Sequence, residues 1–181
     1  DSNVWIEGVA GAPDAAKALV LAGGIEWCGF SAMSRLEVFG FPNLTDRDWI
    51  YGGSPADIRT SITEGRQAAM PPWGGVIGEQ GVTDVTAYIL SINGREADNA
   101  RVAAGAQVFQ TYCVACHGAE AAGNTAMGAP NLKDGIWLYG GSAEQISHSV
   151  RAGRNGVMPA HQELLGEDKI HILAAYVYGL N

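Results

Sequence analysis

What most limits the fold of this chain is that it contains the same stretch twice. FPNLTDRDWIYGGSPADIRTSITEGRQAAMPPWGGVIGE (41–79) lies over APNLKDGIWLYGGSAEQISHSVRAGRNGVMPAHQELLGE (129–167) at a constant offset of 88 residues, with no insertion or deletion. Pro42, Asn43, Leu44, Trp49, Tyr51, Gly52, Gly53 and Ser54 recur at that offset, as do Gly65, Arg66, Met70 and Pro71. So long an ungapped match marks a tandem duplication, which has to be read before any single element. The seam falls in 93–99, where NGREADN joins a turn signal to a cluster of charge. Two domains are expected, 1–95 and 96–181. Each is short enough that its own apolar core is thin.

Within each repeat the periodicity is helical, with little β signal. Asp98 is placed to cap a helix whose apolar stripe is Val102, Ala106, Phe109 and Tyr112. Ser142 with Gln145 forms a capping box opening a helix through Ile146 and Val150, and Gly153 is placed to end it. Ser54-Pro55 opens the equivalent helix of the first repeat, with proline at the favoured first position. Glu167 and Asp168 begin a last helix carrying Ile170, Leu173, Ala174 and Val177 on one face, and 82–92 is its counterpart. The expected fold class is all-α, with three or four short helices per repeat joined by long Gly/Pro loops. Glycine fills 25 of 181 positions, about twice the usual ~7%. Such loops have too little apolar surface to hold themselves, so a bound prosthetic group is expected to complete the core.

Cys113-Val114-Ala115-Cys116-His117 indicates which group. C-x-x-C-H is the attachment signature of c-type haem. Two thiols one helical turn apart can add to the two vinyl groups on one porphyrin edge, and the imidazole then lies beneath the iron as proximal ligand. A thioredoxin-like dithiol would want a βαβ context, and zinc would want two further ligands at finger spacing. The third cysteine, Cys28, stands alone, so a paired disulfide framework is excluded. Met158, 41 residues after His117 in a loop stiffened by Pro159, is the expected sixth ligand. A thioether favours ferrous iron, and His/Met ligation raises the reduction potential. A methionine can also merely fill a core gap. Methionine is scarce here, however, with four in all, and Met70-Pro71 repeats the motif. His161 is the alternative ligand, while His148 and His171 are weaker rivals. Trp137 and Tyr139, with Trp49 and Tyr51 at the matching positions, are expected to line the haem edge or the seam, as large rings with polar tips.

CVACHG, GAPNL, WLYGG, the GR-x-G-x-MPA run and LAAYVYGL resemble the second haem domain of the dihaem cytochrome subunit (subunit III) of cbb3-type cytochrome c oxidases. FGFPNLTDRDWIYGG, AAMPPWGGVIGEQGV and DVTAYILSING resemble that subunit's first haem domain. The likeness covers roughly 39–181. It implies a tandem of class I cytochrome c domains, His/Met haems, and a place on the periplasmic face of a membrane oxidase. It also implies redox partners: oxidase subunits and a donor cytochrome. It implies a membrane anchor too. The longest apolar run, 18–25, is far short of the ~20 residues that span a bilayer, so membrane attachment is expected only through a missing anchor or a partner.

The first repeat departs from this pattern. At the offset, Ile25 stands for Cys113, Cys28 for Cys116 and Gly29 for His117, and no histidine precedes His117. One haem c is therefore expected at Cys113, Cys116 and His117, with Cys28 and Met70 the candidate holders of a second. The first repeat has lost its haem, or holds it by the single Cys28 thioether, or is out of register up to about residue 38. The sharpness of the break favours the last. A net charge of −8 argues against nucleic acid or an anionic membrane surface as partner. It suits steering toward a basic redox partner. The expected role is electron transfer toward a terminal oxidase, with no substrate turned over by the chain itself. A soluble dihaem cytochrome c and the cytochrome subunit of a periplasmic dehydrogenase are the nearest alternatives. A peroxidase-like enzyme, which needs an open iron, is the alternative of another class.

Overall fold

The computed structural model describes residues 42–180. The described residues are predominantly helical: α1 (Pro55–Glu64), α2 (Gly74–Ile92), α3 (Asn99–Tyr112), α4 (Val114–His117), α5 (Ala143–Ala152) and α6 (Gln162–Tyr178). Two short strands, β1 (Arg66–Met70) and β2 (Arg154–Met158), accompany them. The local signals act where the sequence puts them. Ser54 and Ser142 each receive the backbone N–H three residues on, from Asp57 and Gln145, and those side chains accept the serine N–H in return. Gly65 and Gly153 end the two helices at φ of 73° and 72°, a region that glycine enters without a Cβ penalty. Asp98 caps α3 by accepting the Arg101 N–H at 2.9 Å.

The strands are where the structure differs from the all-α expectation. The segments around Met70 and Met158, read as loops, pair antiparallel with Arg66 opposite Met158 and Met70 opposite Arg154. A segment leaving a capped helix still has backbone groups to satisfy, and the two copies of the repeat satisfy each other.

The chain forms two compact units, and these do not coincide with the repeats. One unit comprises Asp48–Gly52 and Arg66–Met158, hence β1, α2, α3, α4, α5 and β2. Its core is Val82, Val85 and Ile89 of α2, Phe109 of α3, Ala121, and Ile146 and Val150 of α5. Helix α2 belongs to the first repeat, yet it packs on α3 and α5 of the second. Tyr88 and Phe109 meet there with ring centroids 5.2 Å apart.

The other unit contains, among the described residues, 42–47, Gly53–Gly65 and 159–180, so that α1 of the first repeat packs on α6 of the second. Ile58 and Ile62 of α1 and Ile170, Ala174 and Val177 of α6 are its buried apolar residues. The units repeat each other's geometry. Trp73 N–H donates to the Val150 carbonyl at 3.0 Å in the first unit, and His161 N–H to the Ile62 carbonyl at 3.0 Å in the second. Both pairs stand at the 88-residue offset. The two repeats have thus exchanged their terminal helices.

Candidate functional site

Helix α3 runs to Tyr112, and the chain turns at Cys113 into the single turn α4. The Cys113 N–H still donates to the Phe109 carbonyl at 2.9 Å, which ties the attachment loop to a fully buried core residue. Cys113 and Cys116 are three residues apart in helical backbone and so share one face. His117 N–H donates to the Cys113 carbonyl at 2.9 Å, and Gly118, at φ 76°, stops the turn. The His117 ring is buried, with Nδ1 at 3.0 Å from the Pro130 carbonyl oxygen. A carbonyl can only accept, so Nδ1 carries the proton and Nε2 keeps its lone pair, the arrangement that orients an imidazole toward a metal.

The loop after the histidine is folded back to make this possible. Gly123 N–H donates to the His117 carbonyl at 2.9 Å, and Leu132 N–H to that of Ala121 at 2.8 Å. Gly123 lies at φ 83°, and a Cβ there would come within 2.6 Å of the Ala129 carbonyl oxygen. Pro130 reaches His117 only because that approach is open. Burial lowers the His117 pKa, opposed by the Pro130 hydrogen bond, so the ring is neutral and competent to ligate. Burial, with Cys116 beside it, pushes the Cys113 thiol up to about 11. A thiol held protonated is a poor redox dithiol and a poor thiolate ligand. Among the described residues no three His, Cys, Asp or Glu side chains converge to hold a metal ion. The donor set fits a haem c: two thiols on one face, and one oriented imidazole after them.

Of the other predicted residues, Met70 is half-buried and packs against the core of the unit that contains His117. Met158, at the end of β2, is 37% exposed. Cys28, with Ile25 and Gly29, lies outside the described residues. Trp49, Tyr51, Trp137 and Tyr139 are all partly buried, and Trp137 packs against the His117 unit's core. The Arg66 guanidinium lies 4.9 Å over the Tyr51 ring and that of Arg154 lies 4.5 Å over Tyr139, a matched pair. Tyr51, from the first repeat, packs against Gly128 in the loop beyond His117. His148 and His171 are exposed, whereas His161 is buried with Nδ1 lacking a partner. Sequence reasoning missed the buried Asp84. Its only signal was a carboxylate interrupting the apolar face of 82–92.

The family model described as cytochrome c oxidase, cbb3-type, subunit III matches this chain at residues 22–89 and again at 100–177. The chain belongs to the cbb3-type oxidase subunit III family. Among similar members, the cbb3-type cytochrome c oxidase subunit CcoP of Rhodobacter capsulatus is 41% identical over 160 residues, 78% of this chain and 54% of that protein. Subunit FixP of Sinorhizobium medicae is 39% identical over 150 residues, covering 78% of this chain and 52% of its own length. CcoP of Cereibacter sphaeroides is 40% identical over 152 residues, with the same coverage. The chain spans about half the length of the curated relatives it matches. Among its described residues, no helix is long and apolar enough to cross a membrane.

Proposed function

We propose that this chain is an electron carrier that passes single electrons through c-type haem, on the periplasmic side, toward the other subunits of a cbb3-type oxidase. The observation that carries the reading is the buried His117 ring, held by Pro130 with Nε2 free, one residue after the Cys113/Cys116 face. Cys113 and Cys116 would hold the porphyrin as thioethers, and His117 Nε2 would ligate its iron. When bound, haem supplies the one-electron couple. The protein supplies burial, ligand orientation and the exclusion of water that set its potential. The chain turns over no substrate of its own, and its partners are a donor cytochrome and oxidase subunits. Each repeat, 1–95 and 96–181, is read as one class I cytochrome c sequence with its terminal helix exchanged.

The paired strands would supply a second ligand to that iron. Packing favours Met70, which, like Cys113 and Val114, packs against the His117 unit's core. The spacing of the second repeat favours Met158. The test is made on the Cys28→Ala protein, which keeps one attachment site. We expect Met70→Ala to leave haem covalently bound, abolish the far-red sulfur-to-iron band and lower the potential. If Met158→Ala does so instead, the assignment passes to Met158. A second haem has Cys28 and the remaining methionine as holders. Pyridine haemochrome against protein mass gives two haems per native chain if it is present and one if it is not. A chain without covalent haem would remove the whole reading.

A further inference from the structure

Side chains two residues apart along a strand share a face, and so do residues directly opposite each other in an antiparallel pair. Arg66, Ala68 and Met70 of β1 therefore lie on one face with Arg154, Gly156 and Met158 of β2. Burial agrees, since 66, 68 and 70 are the half-buried positions of β1, and 154 and 156 those of β2. The face that presents both candidate methionines thus presents two guanidinium groups, with only Ala68 and Gly156 between. That of Arg154 is held in place. It stacks 4.5 Å over the Tyr139 ring. Its Nε donates to Ser149 Oγ at 3.0 Å, and that hydroxyl donates in turn to the Gln145 carbonyl at 2.9 Å. Tyr139, Ser149 and Arg154 recur at the 88-residue offset as Tyr51, Ser61 and Arg66.

What Arg154 lacks is an anion. Arg59, Arg101 and Arg151 each lie within 3.2 Å of a carboxylate oxygen, whereas Arg154 pairs with none among the described residues. The chain has 19 acidic residues to 11 basic ones, so carboxylates are not scarce. A guanidinium stays charged and has five N–H donors, of which the serine takes one. Half-buried, such a charge is costly unless an anion meets it. An arginine stacked and tethered without one is set for a carboxylate that the chain does not supply. Haem carries two, its propionates, on the edge away from the vinyl groups. We infer that Arg154, set by Tyr139 and Ser149, binds a propionate carboxylate of the haem carried at Cys113, Cys116 and His117. The inference rests on the haem reading above and says how the other porphyrin edge is held. Thioethers fix one side, and a planar fork suited to a carboxylate fixes the opposite one. The strand pair then serves the haem twice from one face, by a thioether to the iron and a guanidinium to the propionate.

The test uses the haem-loaded Cys28→Ala protein, so that one haem is read. Resonance Raman spectra of the ferrous form report the propionate bending mode, which shifts with the hydrogen bonds that the carboxylate accepts. Arg154→Gln is expected to displace that band. It should also lower the reduction potential, because a cation beside the haem favours the ferrous state. Arg154→Lys keeps the charge and loses the fork, so it is expected to recover most of the potential and not the band. Arg151→Gln, which breaks an exposed ion pair, should move neither. A band unchanged in Arg154→Gln overturns the proposal, and so does a band displaced by Arg66→Gln and not by Arg154→Gln. Should the Gln variant fail to fold, the Lys variant decides, and a parental band there overturns the proposal equally. Absence of covalent haem in a pyridine haemochrome assay overturns the haem reading and this one with it. Covalent haem with an indifferent propionate band overturns this one alone.

Discussion

Cys113 and Gly105 show how single atoms set what the attachment loop can do. The Cys113 thiol sits on the core beside Cys116, and its pKa of about 11 keeps it protonated at neutral pH. In protein lacking haem, alkylation of Cys113 at pH 7 is therefore expected to be well below that of a free cysteine, whose pKa is about 8.5. It should rise as the pH approaches 11, and denaturant should abolish the difference, as peptide mapping after timed iodoacetamide treatment would show. Gly105 is a matter of space alone. It lies inside α3 with ordinary helical backbone, but a methyl group there would overlap the Asp84 carbonyl. Gly105→Ala is expected to cost about 1–3 kcal/mol through overpacking. Urea denaturation checks this, and an unchanged midpoint would mean that the α2–α3 crossing is looser than described.

At the scale of elements, the breaks in α2 and α6 are conformational. Gly78 and Gly166 lie at positive φ with ψ of 171° and 167°, and neither has any atom near the position of a Cβ. That region is essentially reserved for glycine, so Gly78→Ala and Gly166→Ala should each cost roughly 1–3 kcal/mol without any clash. Equal losses in the two variants, read by thermal melting, would follow from the shared geometry. Glu79, just after the first break, accepts from Arg151 of α5 at 2.7 Å, and that guanidinium holds its carboxyl below the ordinary range. A depressed carboxylate pKa stabilises the fold above the unfolded value and loses that effect as pH falls through the folded one. Arg151→Met is thus expected to lower the melting midpoint slightly at neutral pH. The two proteins should converge in acid, and at high salt, because the pair is exposed. Caps and the C-x-x-C-H turn were legible in the sequence because each is settled by a few neighbouring residues. The pairing of helices was not. Periodicity reports that 82–92 and the last helix each bury a face, but two near-identical faces do not say which partner each takes. The strands were hidden for a related reason, since RQAAM and RNGVM become strands only through each other.

For the whole molecule, the net charge of −8 predicts electron transfer to a basic partner that slows as ionic strength rises. Stopped-flow oxidation across a salt series checks this, and a flat series would remove electrostatic steering. The exchange of helices also limits how the chain can be divided. A fragment of residues 96–181 lacks α2, which covers Phe109, Ile146 and Val150 in the full chain. It is expected to melt at lower temperature and less cooperatively than the full chain by circular dichroism. A fragment that melts like its parent would show that α6 can close on α3 unaided. The same exchange dictates an order of events during synthesis. Helix α1 ends at Glu64 and its partner α6 begins at Gln162. At 5–20 residues per second, about 5–20 seconds of elongation separate them. Throughout that interval the α6 residues on which Ile58 and Ile62 pack have not been made, so this pairing is among the last contacts that synthesis allows.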